Sequence, residues 1–463
     1  MASSAVNHSN TDEYDLDAQE YYSKQKTLAL RAIHIPTCTE LFYRENPLKI
    51  IRCKGTYMYD EIGNKYLDCI NNVAQVGHCH PYVNKQIYKQ MCLCATNNRY
   101  LHDNTVILAE KISETLPKGL EQVFYTNSAS EANDLAIRLA REYTGAFDIL
   151  VLDNAYHGHL ISVVELSTYI YKKMTNHAQI PEHVHVIPTP DVYRGKFRDI
   201  DYNYDEAKLC QLYVDEIHRT VEEAEARGRR IAIFFIETLQ SCGGQIIYPK
   251  GYLKKTFDYL QSKGILCLAD EVQAGFGRSG THFWSFDSYE EGVIPDFVTL
   301  GKSMGNGFPV AALVTRKDIT STFDEEGVEY FNTYGGNPVS CRAVIAVLEV
   351  IENEHLQENA YKVGLYFLSK LKELEKKYTL IGDVRGRGLF VGIEIVSDRE
   401  KRIPGVEEAK EIRQKFRENF VIISLDGPDY NVVKFKSPMT FSMEDVDYFC
   451  STLEKILTDM EKK

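Results

Sequence analysis

The stretch Asp296-Phe-Val-Thr-Leu-Gly-Lys302-Ser-Met-Gly-Asn-Gly-Phe-Pro309 joins a short apolar run, one lysine and a glycine-rich turn. A similar arrangement lies upstream, where the apolar run Ile265–Ala269 is followed directly by Asp270. Continuous apolar runs of this length are typical of buried parallel strands, whose ligands bind beyond the carboxyl ends. The two stretches therefore predict that Asp270 and Lys302 lie at one edge of a sheet.

A lysine and an aspartate in this arrangement suit a pyridoxal phosphate site. The lysine amine forms a Schiff base with the cofactor aldehyde, and the aspartate keeps the pyridine nitrogen protonated so that the ring withdraws electrons. A lone lysine after a strand is usually a surface residue, and Asp270 with Glu271 is also a potential metal pair, which no nearby residue completes. The combination favours catalytic roles for Lys302 and Asp270.

Short apolar runs alternate with helical stretches through the middle of the chain, a pattern that predicts a mostly parallel sheet flanked by helices. The predicted strands are Gln122–Thr126, Ile149–Leu152, His183–Ile187, Ile231–Glu237, Ile265–Ala269, Asp296–Leu300 and Val310–Thr315. The predicted helices of this region include Ser130–Glu142 and Tyr204–Arg227. The polar residues expected to share one cleft at the strand ends are Asn127, Glu237, Asp270 and Lys302.

The length of 463 residues predicts two or three domains. We expect a disordered acidic tail over residues 1–27, an N-terminal segment over 28–75 that joins a small domain, a large cofactor-binding domain over 76–338 and a C-terminal small domain over 339–463. The elements expected in the small domain are the strands Lys49–Arg52 and Thr56–Tyr59, the helices Cys341–Glu352 and Leu356–Lys377, and one glycine-punctuated strand over Ile381–Glu394.

Composition excludes several classes of function. A net charge of −13 argues against general binding to nucleic acid or anionic membranes. The apolar run Ile231–Ile236 is far too short to cross a bilayer. The eleven cysteines form no CxxC pair, which favours reduced thiols inside a cell. The N-terminus is acidic where a mitochondrial presequence is rich in arginine, so we expect the cytosol.

Residues after the other strands complete the expected cofactor site. At Thr126–Asn133 small residues open a helix, where backbone N–H groups of Ala129 and Ser130 can bind a phosphate. The alternative is a plain helix cap with Ser130 as the capping residue. Tyr156 is expected to stack on the cofactor ring, with Val272 on the opposite face. Gln273 is expected to donate a hydrogen bond to the phenolic oxygen of the ring.

Two further motifs each have a structural alternative. The histidines of Ala155-Tyr-His-Gly-His159 suggest zinc but lack a convincing third ligand, so no metal is predicted. The loop Phe331–Pro338 is either a structural turn or a second phosphate anchor through Thr333.

Taken in order, these motifs resemble those of the class-III aminotransferase family of fold-type I pyridoxal-phosphate enzymes. The resemblance runs from about Leu28 to about Leu457 and includes Gly77–Pro81, Asn127–Ala132, Tyr156–Gly158, Asp270–Gly275, Gly301-Lys302 and Thr333–Pro338. It implies that Thr333 reaches the cofactor phosphate of a neighbouring subunit, and so an obligate homodimer or a pair of such dimers. The full set of expected cofactor contacts is Ala129, Ser130, Tyr156, His157, Glu237, Asp270, Val272, Gln273, Lys302 and Thr333.

The chain departs from amino-acid aminotransferases of this family at two positions. Lys434 stands where an arginine receives the substrate carboxylate, and Cys242 stands where that arginine has its glutamate partner. Lysine lacks the bidentate fork that suits a carboxylate but can meet a phosphate as a point charge. The pattern therefore resembles the phospho-lyase branch, which acts on O-phosphoethanolamine or 5-phosphohydroxy-L-lysine. The residues expected at the substrate are Asn71, Arg194 and Lys434, with Lys436 as a further cation for its phosphate.

Three functions stay open at this point. The first is a phospho-lyase acting on a small phosphorylated amine. The second is an aminotransferase that uses an ω-amine or alanine with a keto acid such as glyoxylate. The third is a non-enzymatic dimer that serves as a scaffold or a cofactor store.

Overall fold

The computed structural model describes residues 21–171, 180–327 and 329–462. Its strands are β1 (Ile50–Lys54), β2 (Tyr57–Asp60), β3 (Lys65–Asp68), β4 (Gln122–Thr126), β5 (Asp148–Leu152), β6 (Val184–Ile187), β7 (Ile231–Glu237), β8 (Leu266–Asp270), β9 (Phe297–Leu300), β10 (Ala311–Thr315), β11 (Ile381–Arg387), β12 (Phe390–Asp398), β13 (Ile403–Pro404), β14 (Val421–Ile422), β15 (Ser424–Asp426) and β16 (Val432–Phe435). Its helices are α1 (Lys24–His34), α2 (Pro81–Leu93), α3 (Asp103–Ser113), α4 (Ala129–Thr144), α5 (Ile161–Val164), α6 (Thr168–Tyr171), α7 (Glu206–Ala226), α8 (Tyr252–Ser262), α9 (Lys317–Glu326), α10 (Pro338–Asn353), α11 (Leu356–Lys377), α12 (Val406–Glu418) and α13 (Met443–Glu461).

A seven-stranded sheet forms the centre of the large domain, in the order β4-β10-β9-β8-β7-β5-β6. The predicted mostly parallel sheet is confirmed, and β10 is the strand that runs antiparallel to both of its neighbours, β4 and β9. The chain reverses direction between β9 and β10, and Lys302 lies in that reversal. All seven residues of β7 are buried, as expected for a strand covered on both faces.

Two smaller sheets bring the ends of the chain together. Strands β1, β2 and β3 form a sheet with β14, which pairs with β3 in parallel. The second small sheet has the order β11-β12-β16-β15, with β13 beside β12. We accordingly propose that residues 28–75 and 339–463 form the small domain and that residues 76–338 form the large domain.

Two sequence predictions are corrected by these elements. The single strand predicted over Ile381–Glu394 is a hairpin of β11 and β12. Gly388 makes the turn with a φ of +55°, and a Cβ there would lie 2.2 Å from a backbone oxygen of Arg278. Residues 1–20 of the predicted tail lie outside the described residues. Its last residues, from Lys24, open α1, because Ser23 caps a run of good helix formers.

A buried arginine connects the two domains. Arg278 donates hydrogen bonds to the carbonyl oxygens of Leu389 (3.2 Å) and Ser437 (2.7 Å), and to the side chain of Gln75. Burial lowers the pKa of Arg278 to about 9.

Among the described residues, no helix is both long enough and apolar enough to cross a membrane.

Candidate active site

A cavity of about 390 Å³ lies at the carboxyl edge of the large sheet. Strands β8 and β9 and the loops after β4 and β5 bring residues that are distant in sequence to its walls. Of the residues predicted to bind a cofactor, those that line the cavity are Ala129, Ser130, Tyr156, His157, Asp270, Val272, Gln273 and Lys302. The structure thus brings together eight of the ten predicted contacts, and their roles remain predictions.

Lys302 occupies a strained position in the turn between β9 and β10. Its φ is +37°, in the left-handed region that residues other than glycine rarely adopt, and such strain is concentrated at functional sites. The next residue stabilises the turn, because the Ser303 hydroxyl donates to the carbonyl oxygen of Asn72 at 3.2 Å. Burial lowers the pKa of Lys302, and the opposing effect of Asp270 is smaller. A larger fraction of the amine is therefore neutral, as a nucleophile or base requires.

Asp270, the last residue of β8, is held by hydrogen bonds to both carboxylate oxygens. Oδ2 accepts from His157 Nδ1 at 2.8 Å and from Asn133 Nδ2 at 3.2 Å, and Oδ1 accepts from the backbone N–H of Val272 at 3.2 Å. Asn133 is fixed in turn by Thr299, whose hydroxyl donates to it at 2.7 Å. These donors fix the direction of the carboxylate. Sequence reasoning assigned no role to Asn133, although it lies one turn after Ala129 on α4.

The first turn of α4 forms the end of the cavity predicted to bind phosphate. The helix is capped by Ser128, whose hydroxyl accepts from the N–H of Glu131, so Ser130 is not the capping residue. This cap leaves the N–H groups of Ala129 and Ser130 available to a ligand. Gly158 approaches closely, with a φ of +134°, and a Cβ there would lie 2.6 Å from Ser130 Oγ. The result is a narrow cradle of small residues at a helix N-terminus, which suits an anion.

The amide of Gln273 has a defined orientation. Its Oε1 accepts from Asn72 Nδ2 at 3.0 Å and from Lys436 Nζ at 2.6 Å. The amide nitrogen of Asn72 can only donate, so the oxygen of Gln273 must face it. The N–H₂ group is then left for the cavity, in agreement with the predicted donor role. The residues that hold the amide, Asn72 and Lys436, had no such role in the sequence analysis.

Two predicted cofactor contacts lie outside the cavity wall. Glu237 is buried behind it, where its carboxylate accepts from the N–H groups of Tyr156 (3.0 Å) and Ser241 (3.1 Å). Glu237 therefore positions loops instead of lining the cavity, and burial raises the pKa of its carboxyl. Thr333 is exposed on a loop held by a hydrogen bond of 2.8 Å from Asn127 to Asn332. Its predicted contact with the cofactor of a neighbouring subunit remains a prediction.

Two of the residues predicted to bind substrate, Arg194 and Asn71, do not line the cofactor cavity. Arg194 lines a separate cavity of about 600 Å³ and is paired with Glu394 and Asp429, both at 3.0 Å, so its predicted substrate role is not supported. Asn71 does not line the cavity, and its Nδ2 contacts Met58 Sδ at 3.6 Å while the adjacent Asn72 contacts Gln273, so the substrate role of Asn71 remains a prediction.

Lys434 is the predicted substrate residue that lies close to the reactive lysine. It is partly buried, forms an ion pair with Asp426 and interacts electrostatically with Lys302. Although burial alone would lower the pKa of Lys434, Asp426 and its neighbours raise it above its ordinary value. Lys434 is therefore a charged ammonium beside the cavity.

For the zinc alternative, His157 is engaged with Asp270, and no group of three or more metal-ligating residues occurs in the described ranges.

Comparisons with known proteins agree with this geometry. The family model described as aminotransferase class-III matches residues 42–457. The chain is 48% identical to the Drosophila melanogaster protein named alanine–glyoxylate aminotransferase 2-like, over 96% of this chain and 90% of that protein. It is 43% identical to ethanolamine-phosphate phospho-lyase homolog 1 of Caenorhabditis elegans, over 95% of each.

Solved structures show the same fold. A phospholyase from Arthrobacter in complex with phosphoethanolamine superposes with a TM-score of 0.87 at 35% identity, covering 93% of this chain and 99% of that one. An (S)-enantioselective omega-transaminase from Thermomicrobium roseum has a TM-score of 0.85 at 26% identity, covering 95% and 99%.

Proposed function

The chain belongs to the class-III aminotransferase family, and from this premise we propose that it is a phospho-lyase that eliminates phosphate from a small phosphorylated amine. The first substrate we propose is O-phosphoethanolamine, with acetaldehyde, ammonia and inorganic phosphate as products. The fold is that of fold-type I pyridoxal-phosphate enzymes, and the protein is a pyridoxal-5′-phosphate-dependent enzyme, as the sequence predicted.

The observation that carries this proposal is the pair of lysines beside Lys302. Lys434 and Lys436 are both largely buried, and each is coupled electrostatically to Lys302. Two lysine amines, which a bound dianion would keep protonated, suit a phosphate, whereas a planar guanidinium suits the carboxylate of an amino acid. The Arthrobacter phospholyase, whose structure contains phosphoethanolamine, supports this substrate class.

The residues of the cavity fit pyridoxal 5′-phosphate. Asp270 would hold the ring nitrogen, Gln273 the phenolic oxygen, and the N–H groups of Ala129 and Ser130 the phosphate. Tyr156 and Val272 would contact the ring. When bound, the cofactor supplies an electron sink for the pair left on the carbon next to the amine nitrogen.

Lys302 performs the proton transfer in the proposed reaction. Its neutral amine removes a proton from the carbon that bears the nitrogen. The bond between the next carbon and the phosphate oxygen then breaks, and inorganic phosphate leaves with that electron pair. One water molecule completes the hydrolysis to acetaldehyde and ammonia. No second substrate is consumed.

The alternative is an aminotransferase, which the name of the Drosophila relative favours. Alanine–glyoxylate aminotransferase 2 of Homo sapiens is 35% identical over 91% of this chain, which supports the same alternative. The same residues act as far as the removal of the proton. The two reactions differ afterwards, because transamination returns the electron pair as a new C–H bond and needs a keto acid.

The two functions are separated by the products formed without a keto acid. We expect the purified holoenzyme to release phosphate and acetaldehyde from O-phosphoethanolamine in equal amounts over many turnovers. Ethanolamine, which lacks the phosphate, is the matched control and should yield no acetaldehyde. 5-Phosphohydroxy-L-lysine, assayed in parallel, tests the second phospho-lyase substrate. Absence of phosphate release, together with glyoxylate-dependent turnover of alanine, would make the protein an aminotransferase.

We also propose that the protein is a homodimer, because one side of the large domain exposes apolar residues. The segment containing α2 and α3 exposes Tyr88 (59%), Met91 (57%), Leu93 (82%), Tyr100 (73%), Leu101 (103%) and Val106 (65%). It lies against the Thr333 loop, since Arg99 stacks over the Phe331 ring at 4.1 Å. Clusters of large exposed apolar side chains mark protein interfaces. A partner at this surface would also cover Thr333.

Sedimentation should therefore give a mass of about twice the 53.0 kDa of one chain, or four times in a pair of dimers. We expect Leu101→Glu to shift the protein towards monomers, because it places a charge within the apolar segment. Ile62→Glu, at an exposed residue (79%) in the turn between β2 and β3, is the matched control and should keep the wild-type mass. A wild-type protein that sediments as a monomer at micromolar concentration would contradict the homodimer.

For the compartment we propose the cytosol, because the cysteine pattern favours reduced thiols inside a cell. Relatives in Arabidopsis thaliana and Homo sapiens carry "mitochondrial" in their names, which makes the mitochondrial matrix the alternative. Fractionation of cells that express the full chain distinguishes the two.

A further inference from the structure

Lys436 is a buried lysine whose amine contacts only neutral groups. The residue is 3% exposed and directly follows β16. Its Nζ donates to Ser241 Oγ at 2.9 Å and to Gln273 Oε1 at 2.6 Å. In the described part of the chain, no carboxylate forms an ion pair with it. A buried ammonium without a counter-ion is costly unless an anion joins it.

Hydrogen-bond capacity remains at this position. When a bound anion keeps it protonated, the Lys436 amine has three N–H donors, and its two contacts use two of them. Ser241 accepts from Lys436 through its oxygen, so its own hydroxyl hydrogen remains to be donated. Two adjacent donors are thus left for one acceptor group.

Two other lysines lie near Lys436, and burial acts on its amine as well. Lys434 and Lys302 both face it, and together with burial they hold the pKa of Lys436 well below its ordinary value. Cys242 lies among these groups, but burial raises the pKa of its thiol to about 12, so it supplies no negative charge. Asp426 is already engaged by Lys434 and by the Tyr169 hydroxyl (2.7 Å). Asp426 is thus occupied by Lys434, and an anionic ligand that joins Lys436 would favour the protonated form of its amine.

The other candidate cations are less suited to a new anion. Arg194 is paired with two carboxylates and lines a different cavity, and Lys434 is paired with Asp426. Lys436 is also connected to the cofactor cavity, because it contacts Gln273 on the cavity wall.

We propose that Lys436 and the Ser241 hydroxyl form the subsite that binds the phosphate group of the substrate, with Lys434 adding to the positive field. This inference rests on the proposed phospho-lyase function and identifies where its leaving group is held. Donors at this position stabilise the negative charge that develops on the phosphate as its bond to carbon breaks.

Lys436→Met tests the subsite in the holoenzyme. Methionine keeps the length of the side chain and removes the charge, and Asn72 still orients Gln273. We expect the KM for O-phosphoethanolamine and the inhibition constant of inorganic phosphate each to rise about 10- to 100-fold, as for the loss of one charge-assisted hydrogen bond. The dissociation constant of propylamine, an amine without phosphate that is followed by absorbance, should stay within about twofold of the wild type.

Lys196→Met is the matched control. Lys196 lines the neighbouring cavity and is paired with Glu216 at 2.6 Å, so its removal should leave all three constants unchanged. An equal rise for propylamine and for phosphate in Lys436→Met would make Lys436 a positioning residue for Gln273, which overturns the proposal. Unchanged phosphate inhibition would also overturn it.

Calorimetric titration with inorganic phosphate separates this inference from the proposed function. If the wild type releases no phosphate from O-phosphoethanolamine, the phospho-lyase function fails. Phosphate binding that is lost in Lys436→Met would then still support the subsite. Absence of phosphate binding to the wild type would contradict the subsite. Melting temperatures of wild type and variant check the fold, and Lys436→Gln replaces the methionine variant if that protein does not fold.

Discussion

Lys302→Ala is expected to lower the kcat for phosphate release by about 10⁴-fold or more. The variant removes the group that transfers the proton, and a positioned acid or base alone contributes about 10²–10⁴-fold. It also removes the amine that attaches the cofactor covalently. The neighbouring lysines are not substitutes, because Lys434 is paired with Asp426 and Lys436 is held by Gln273 and Ser241.

Two measurements check this expectation. Phosphate release is followed in a single turnover, and the visible absorbance of the bound cofactor shows whether covalent attachment is lost. Lys196→Ala, at a half-exposed lysine paired with Glu216, should retain wild-type activity. Residual activity above about 1% of the wild type, outside the range expected for a lost base, would show that another group removes the proton.

The pH profile of the wild type gives an independent check on Lys302. Burial lowers the pKa of this amine from its ordinary value of 10.5, so the neutral form is present at lower pH than for an exposed lysine. The rate should therefore increase with pH through a pKa below 10.5 and then level off.

Asp270→Ala should have the second largest effect, a decrease in kcat of about 10²–10³-fold, the range for loss of one preorganised electrostatic partner. The carboxylate is the charged group aligned by His157, Asn133 and the N–H of Val272. Its loss removes the partner that keeps the cofactor ring protonated, so the ring becomes a weaker electron sink. His157 and Asn133 also lose their acceptor, and we expect the cofactor to dissociate more readily on dialysis.

Asp270→Asn separates charge from hydrogen bonding, since it keeps the size of the side chain. We expect it to be nearly as inactive as Asp270→Ala if charge is what matters. Asp258→Asn changes an exposed carboxylate on α8, paired with Lys254, and serves as the control. Wild-type activity of Asp270→Asn would remove the electronic role assigned to this residue.

Most of the large domain could be predicted from local patterns. The limits predicted for Gln122–Thr126 and Ile231–Glu237 are those of β4 and β7, because short apolar runs between polar turns identify buried strands directly. The direction of β10 could not be read in this way, since an antiparallel strand buried in the sheet has the same apolar pattern as a parallel one. The hairpin of β11 and β12 was missed because a glycine inside a run of strand residues does not distinguish a turn from a bulge.

The sequence by itself determined the positions of Lys302 and Asp270, because each follows a buried strand and the carboxyl ends of parallel strands meet at one edge. Only the tertiary structure decided which cations are already paired within the protein. Arg194, Lys434 and Lys436 are all basic residues, and the sequence does not show which of them has a partner. In the structure Arg194 forms an ion pair with Glu394, whereas Lys436 forms hydrogen bonds with Ser241 and Gln273. Those partners lie on segments that are distant in sequence. An ion pair within the protein neutralises a cation, so the positive charge left for a ligand depends on contacts that the sequence alone does not reveal.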